Sequence, residues 1–259
     1  MSEEDKKVLP PDTVDIAGLK ELPYEVEEAL NRLRINISSF GKRYKKIMVI
    51  SSIPNEGKSF VTLQLWRMFA EAGIKSLFID ADMRNSVVIY DYDIHSSKEL
   101  VGLSDYLSGK AEIKDILKHT GLEYGDMILN PKNVVNPSLL FEGDLMEKLL
   151  KEVEDDYEYI FLDTPPLDIV SDGEKIAKMC DGTLLVIGAN STSRNVAKNT
   201  IKQLERTGCP LLGVTLNRAF RNGGGYYSGG YYSSKYYGKK HYGDYYSKYY
   251  GNHSEKGKK

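Results

Sequence analysis

Six short, nearly continuous apolar runs punctuate the chain, at residues 47–50, 76–80, 127–129, 159–163, 183–187 and 211–216. Each is shorter than a typical helix and lacks the polar alternation of a half-exposed strand, so each predicts a strand buried on both faces. Between the runs, apolar residues return at helical spacing. Val26, Leu30, Leu33 and Ile37 share one face of a predicted helix over 24–37, which Gly41 stops. Val61, Leu65, Met68 and Phe69 mark a second, closed at Gly73. One or two short helices broken near Gly109 fit residues 100–117, and Leu140, Leu145, Leu149 and Val153 predict a helix over 137–155. A last helix fits 194–206. Strands alternating with helices predict the α/β class, a mostly parallel sheet with helices on both faces. Such sheets place ligands at the carboxyl ends of their strands. Lys58, Asp80, Asp163 and Asn217 all fall there.

The first run opens the richest stretch. Residues 47–50 lead through Ser51-Ser52-Ile53-Pro54-Asn55-Glu56 to Gly57-Lys58-Ser59, and a helix follows. Strand, loop, Gly-Lys-Ser and helix form the pattern of a P-loop NTPase. Backbone N–H groups at a helix N-terminus attract phosphate oxygens. Gly57 lets the backbone approach them, Lys58 supplies a point charge, and Ser59 offers a hydroxyl to Mg²⁺. Ser52 stands where the usual spacing has glycine, and a chance Gly-Lys-Ser in an ordinary loop is the plain alternative. Two further motifs weigh against chance. Asp80-Ala81-Asp82 closes the second run and Asp163 closes the fourth. If the strand continues, Asp80 and Asp82 point the same way. Three acids beside a lysine and a serine suit a Mg²⁺–nucleotide site, because Mg²⁺ takes oxygen ligands. Each acid taken singly reads as well as a turn residue.

Composition divides the 259 residues into three parts. Residues 1–23 are polar, contain Pro10-Pro11, and read as a flexible arm or extended lead-in. Residues 24–222 form the α/β domain. From Gly223 the aliphatic residues almost vanish, and eleven of the nineteen tyrosines follow, mostly in pairs: Tyr226, Tyr227, Tyr231, Tyr232, Tyr236, Tyr237, Tyr242, Tyr245, Tyr246, Tyr249 and Tyr250. Too little apolar surface remains there to offset ordering, so residues 223–259 predict a disordered tail. Seven lysines against Asp244 and Glu255 leave that tail at +5. The whole chain carries −2, so the rest carries −7. The near-neutral total argues against bulk nucleic-acid affinity. Lys42, Arg43, Lys45 and Lys46 crowd before the first run, as a solvated loop or a face for an acidic partner. Cys180 and Cys209 show no metal or disulfide spacing and predict reduced thiols. No run approaches bilayer-spanning length.

These motifs carry a resemblance. The segment 51–59 with Pro54 and Glu56-Gly57-Lys58-Ser59, then Ile79-Asp80-Ala81-Asp82-Met83-Arg84, then Phe161-Leu162-Asp163-Thr164-Pro165-Pro166, resemble the Walker A, A′ and B motifs of bacterial tyrosine kinases (BY-kinases), the P-loop autokinases of capsule and exopolysaccharide export. Gly102-Leu103-Ser104-Asp105-Tyr106-Leu107-Ser108-Gly109, Asn136-Pro137-Ser138-Leu139-Leu140 and the tyrosine cluster are similar too. The resemblance implies an ATP- and Mg²⁺-dependent protein-tyrosine kinase that phosphorylates its own tail. It implies nucleotide contacts from Pro54, Asn55, Glu56, Gly57, Lys58, Ser59 and Phe60, with Asn217 and Arg218 on the adenine side. Ser59, Asp82 and Asp163 would serve the metal, and Asp80 would be the base for the tyrosine hydroxyl. It further implies a cytoplasmic protein held at the membrane by a separate adaptor, and a tyrosine phosphatase that reverses the modification. Family members form rings through a Glu-x-x-Arg-x-x-Arg helix. Here the matching residues are Glu28, Asn31 and Arg34, with Arg32 one position off. Asn55 replaces the family's usual glycine, and Asn85-Ser86 stand where a basic residue and proline are common.

A flexible Gly-rich segment spans about 5–6 Å × √n, hence about 12 Å to Tyr226 and about 30 Å to Tyr250. Tyr226 and Tyr227 then have little slack to return to their own site, which favours transfer between chains, distal pairs first. Two alternatives remain open. A MinD/ParA-like positioning ATPase shares this fold but carries a lysine where this chain has Ile53. A non-catalytic nucleotide-binding assembly module would suit Ser52 and Asn55.

Overall fold

A strand that is apolar at every position must be covered on both faces, and the computed structural model of the chain meets that demand for five of the six runs. The sixth, 211–216, is an edge strand whose Val214 and Leu216 are 49% and 58% exposed. The structure describes residues 9–10, 12–167 and 172–219. The eleven tail tyrosines lie outside the described residues. In chain order the elements are β1 (Val14–Ile16), α1 (Tyr24–Ser39), β2 (Lys46–Ser51), α2 (Lys58–Glu71), β3 (Ser76–Asp80), α3 (Val88–Asp91), β4 (Ile94–Ser96), α4 (Leu103–Leu107), α5 (Ile113–Ile116), β5 (Leu117–His119), β6 (Gly125–Ile128), a 3-10 helix (Pro137–Glu142), α6 (Leu145–Val153), β7 (Tyr159–Asp163), α7 (Asp172–Ala177), β8 (Gly182–Gly188), α8 (Arg194–Thr207) and β9 (Leu211–Asn217).

Seven strands form one sheet in the order β5-β6-β3-β7-β2-β8-β9. All neighbours are parallel except the edge pair β5–β6. Alternate residues of each strand feed two cores. Ile47, Val49, Phe78, Phe161 and Leu184 pack with Trp66 and Phe69 of α2 and Ile37 of α1. Met48, Ile50, Leu77, Ile79, Leu162 and Leu185 pack with Leu107, Leu149, Ile176 and Leu204 from α4, α6, α7 and α8. The six expected strands and the helices on both faces are therefore all present. Gly73 (φ 76°) ends α2 in the left-handed conformation that a helix C-terminus often needs, with Ile74 N–H bonded to Phe69 O at 3.0 Å.

Four local expectations change. Residues 14–16 of the lead-in form β1, which pairs antiparallel with β4, and Val14 is 1% exposed. Burial of that side chain holds the segment against the domain. The helix expected over 137–155 is two pieces, a 3-10 turn and α6, separated where Gly143 is extended. The basic cluster before β2 is largely answered within the chain. Lys46 Nζ lies 2.9 Å from Glu154 and 3.5 Å from Asp181, and Lys45 Nζ donates to Glu154 O. Finally, β3 stops at Asp80, so Asp82 lies on the following loop rather than on a continued strand. Cys180 and Cys209 are free thiols.

Candidate active site

Parallel β2, β3, β7, β8 and β9 bring five loops to one edge of the sheet. The loop after β2 curls through two left-handed residues, Asn55 (φ 63°) and Gly57 (φ 85°). Successive backbone N–H groups in such a turn make an anion-binding concavity. Gly57 is the N-cap of α2, and no side chain caps this end. The helix N-terminus is thus left for an anionic ligand. Pro54 is buried, Asn55 is exposed at the loop tip, and Ser59 and Phe60 are half-buried.

Lys58, the first residue of α2, is 6% exposed and reaches across to the acids. Its Nζ lies 2.8 Å from Asp163 Oδ1, 3.6 Å from Asp82 Oδ2 and 3.3 Å from Ser59 Oγ. Thr62, one turn along α2, donates to Asp163 Oδ1 at 3.3 Å. Asp80 and Asp163 are register partners on adjacent strands, which sets their carboxylates side by side. Asp80 is fully buried. Its Oδ2 accepts the Ser86 hydroxyl at 2.5 Å, whereas Oδ1 has no hydrogen-bond partner. Burial pushes the Asp80 carboxyl well above the usual carboxylate range. The charges of Asp163 and Asp82 push the same way, while the Ser86 hydroxyl and Lys58 oppose them.

The structure thus gathers Lys58, Ser59, Asp82 and Asp163, with Asp80 abutting them. Asn217 and Arg218 stand at the far end of the edge. Asn217 Nδ2 donates to the Glu56 carbonyl at 2.9 Å, and Arg218 is left-handed (φ 58°). Glu28, Arg32 and Arg34 are on α1, where the Arg34 guanidinium donates twice to Asn31 Oδ1, at 3.1 and 2.9 Å. Sequence reasoning gave no role to Thr62 or Ser86. Thr62 was discoverable, four residues after Lys58 on the same helix face. Ser86 reaches Asp80 because Asn133 Oδ1 accepts its N–H at 2.9 Å, a meeting of two loops with no local signature.

The arrangement fits a metal–nucleotide ligand. The uncapped helix end suits phosphate, and the acids supply hard oxygen donors. Buried polar atoms without partners, Asp80 Oδ1, Ser52 Oγ and Asn85 Nδ2, occur in these same loops. Among the described residues, no three His, Cys, Asp or Glu side chains close on a metal ion by themselves.

Residues 44–206 match the family described as an AAA domain. The tyrosine-protein kinase CpsD of Streptococcus agalactiae serotype III (strain NEM316) is 35% identical over 194 residues, which cover 75% of this chain and 83% of that one. The chain belongs to the bacterial tyrosine-protein kinases. Another member, CpsD of Streptococcus pneumoniae serotype 4, is 34% identical over 207 residues, covering 80% of this kinase and 90% of its relative. The kinase domain of the Escherichia coli tyrosine kinase ETK superposes with a TM-score of 0.70 at 30% identity, over 79% of this kinase and 80% of that chain. MinD of Pyrococcus horikoshii, at 21% identity and a TM-score of 0.58, shares the fold. In this kinase Ile53 is apolar and 8% exposed.

Proposed function

We propose that this kinase uses ATP with Mg²⁺ to phosphorylate the tyrosines of residues 223–259, and that the modification regulates capsule or exopolysaccharide synthesis and export. The observation that supports it best is the meeting of Lys58, Asp82 and Asp163 beside buried Asp80 at the mouth of the P-loop. Phosphoryl transfer needs positioning and charge stabilisation more than covalent help. The P-loop N–H groups and Lys58 hold the phosphates. Ser59, Asp82 and Asp163 would hold the metal or its waters, and Mg²⁺ there would supply neutralisation of phosphate charge. Asp80 accepts the tyrosine proton through Oδ1 while Ser86 fixes its other oxygen. Cationic charge entering the site favours the ionised, basic form of that carboxyl. Asn217 and Arg218 border the adenine.

The wider setting belongs to the same proposal: a cytoplasmic kinase recruited to the membrane face by an adaptor and reset by a tyrosine phosphatase. No helix among the described residues is long and apolar enough to cross a membrane. Incubating the full chain with Mg-ATP, with and without membrane extract, and mapping phosphotyrosine by mass spectrometry tests the activity. Label should appear on the tail, more with extract; none under either condition sinks the proposal. Mixing full-length Lys58→Met with an active chain truncated after Asn222 tests transfer between chains. The inactive partner's tail should become labelled, distal tyrosines first. An unlabelled tail would leave only transfer within one chain.

The proposal includes a homo-oligomeric ring through α1. Leu33 and Ile37 pack into the core, so the surface left for a neighbour is the polar side with Glu28, Arg32 and Arg34 plus exposed Tyr24 and Ile35. Each tail phosphate adds about −1.5 to −2 charge to bodies that are already acidic. Light scattering should therefore report a smaller particle after phosphorylation. A size indifferent to phosphorylation counts against the ring as a switch.

A further inference from the structure

One acid in the phosphate loop has no evident use in phosphate chemistry. Glu56 adjoins Gly57 and Lys58, and a carboxylate turned toward the phosphates would repel them. It is only 1% exposed, and its bonds lead away from the helix end. Its Oε2 accepts the Ile53 N–H at 2.9 Å, inside its own loop. Its Oε1 accepts the Gly188 N–H at 2.8 Å and also the Thr192 hydroxyl, both from the β8–α8 connection. Its backbone carbonyl accepts Asn217 Nδ2 at 2.9 Å, at the end of β9. Asn217 is itself held, because its Oδ1 accepts the Arg218 N–H at 2.9 Å and its carbonyl accepts the Ala189 N–H at 2.8 Å.

One residue thus bonds to three segments that are far apart in sequence. Gly188 is required by its own turn, where Ser191 packs over it, rather than by Glu56. A Cβ there would lie 2.3 Å from Ser191 Oγ and 3.5 Å from Glu56 Cα. Both carboxylate oxygens are satisfied by donors, the condition under which a buried charge is tolerated.

We infer that Glu56 is a positioning residue that braces the phosphate loop against the β8–α8 connection and Asn217, so that the phosphate side and the base side of the nucleotide site act as one preorganised unit. The inference rests on the P-loop being an ATP site. It follows that Glu56 acts on nucleotide affinity more than on the chemical step, because preorganisation lowers the cost of ordering the loop on binding.

The experiment measures Mg-ADP and inorganic tripolyphosphate binding by calorimetry, together with KM and kcat for ATP, on full-length Glu56→Ala, Glu56→Gln and Thr192→Val. Losing hydrogen bonds to a buried carboxylate should weaken Mg-ADP binding about tenfold to a hundredfold in Glu56→Ala. Tripolyphosphate, which lacks a base, should weaken by a similar factor, because the brace shapes the phosphate loop itself. Thr192→Val removes one donor and should weaken Mg-ADP about threefold to tenfold. Glu56→Gln should fall between them, since its amide nitrogen cannot accept from Ile53 or Gly188. KM for ATP should rise in step while kcat at saturating ATP stays within about threefold of wild type. Variants that melt cooperatively yet bind Mg-ADP within twofold of wild type would overturn the brace. So would a fall in kcat with KM unchanged. Should Glu56→Ala fail to fold, the other two variants decide by the same criteria. A wild-type chain that binds no Mg-ADP would remove the nucleotide reading itself, whereas equal binding by wild type and variants removes only the brace.

Discussion

Replacing Lys58 with Met is expected to abolish tyrosine phosphorylation, with kcat lower by about a thousandfold or more, and also to destabilise the nucleotide-free protein. The first effect follows from losing the P-loop's point charge where negative charge gathers in transfer. The second follows from the geometry of the site itself. Lys58 lies 2.8 Å from Asp163 and 3.6 Å from Asp82, with all three side chains almost fully buried. Removing one partner of a buried ion pair leaves its charge uncompensated, at a cost of about 3–5 kcal/mol. Added Mg²⁺ should return part of that loss by standing in for the ammonium. Phosphotyrosine immunoblots and thermal melts with and without Mg²⁺ check both parts. A folded mutant with undiminished label would end the assignment of Lys58. A melting temperature equal to wild type would show that the carboxylates do not depend on Lys58.

Asp80→Asn is expected to separate activity from stability in opposite directions. Losing a positioned general base should lower kcat by about 10²–10⁴-fold. The same change should stabilise the fold at neutral pH. The Asp80 carboxyl titrates well above its ordinary value of 3.8 in the folded protein, first because it is buried and then because Asp163 and Asp82 are close. Below that ordinary value it is protonated in both folded and unfolded chains and costs nothing. As pH rises, the unfolded chain ionises first, so stability falls progressively until the folded-state value is passed. Asparagine removes this penalty. Its amide can place oxygen toward Ser86 and nitrogen where Oδ1 now has no partner. The melting-temperature advantage over wild type should therefore grow as pH rises above the ordinary carboxylate value of 3.8. Melts across a pH series, paired with initial rates, provide the check. An advantage that is flat or shrinks with pH would contradict a raised Asp80.

Five of the seven sheet strands were legible in the sequence because burial on both faces leaves few polar positions. The edge strand β9 was legible from its apolar run alone, and three-residue β5 was not, because Leu117 continues the helical spacing before it. The paired three-residue strands β1 and β4 were not, since Val14–Ile16 and Ile94–Ser96 find each other only in three dimensions. The break in the 137–155 helix escaped because Leu140 and Leu145 keep a helical spacing across Gly143. At the site, Lys58, Asp80, Asp82 and Asp163 could be read from motif and strand-end position together. The direction Glu56 faces could not. The loop motif makes every residue in it a candidate contact, and only the path of the β8–α8 connection shows where that carboxylate is held. Thr192 escaped for the same reason, since its partner Glu56 is remote in sequence, and Ser86 escaped because the remote Asn133 holds the backbone that turns its hydroxyl to nearby Asp80.

The strand order has a metrical consequence. From β3 through β7, β2 and β8 to β9, each of five adjacent strands delivers one component to the same edge: Asp80, Asp163, the P-loop, Gly188 and Asn217. Neighbouring strands lie about 4.8 Å apart, so the row from Asp80 to Asn217 covers about 19 Å, roughly the length of an extended nucleoside triphosphate. Under the proposed function the sheet would be a ruler beneath its ligand, with acceptor chemistry at one end, base recognition at the other and the phosphate loop at the midpoint. Because each mark on that ruler ends in its own loop, the two ends can diverge separately: one flank can change the hydroxyl it serves while the other keeps the same nucleotide.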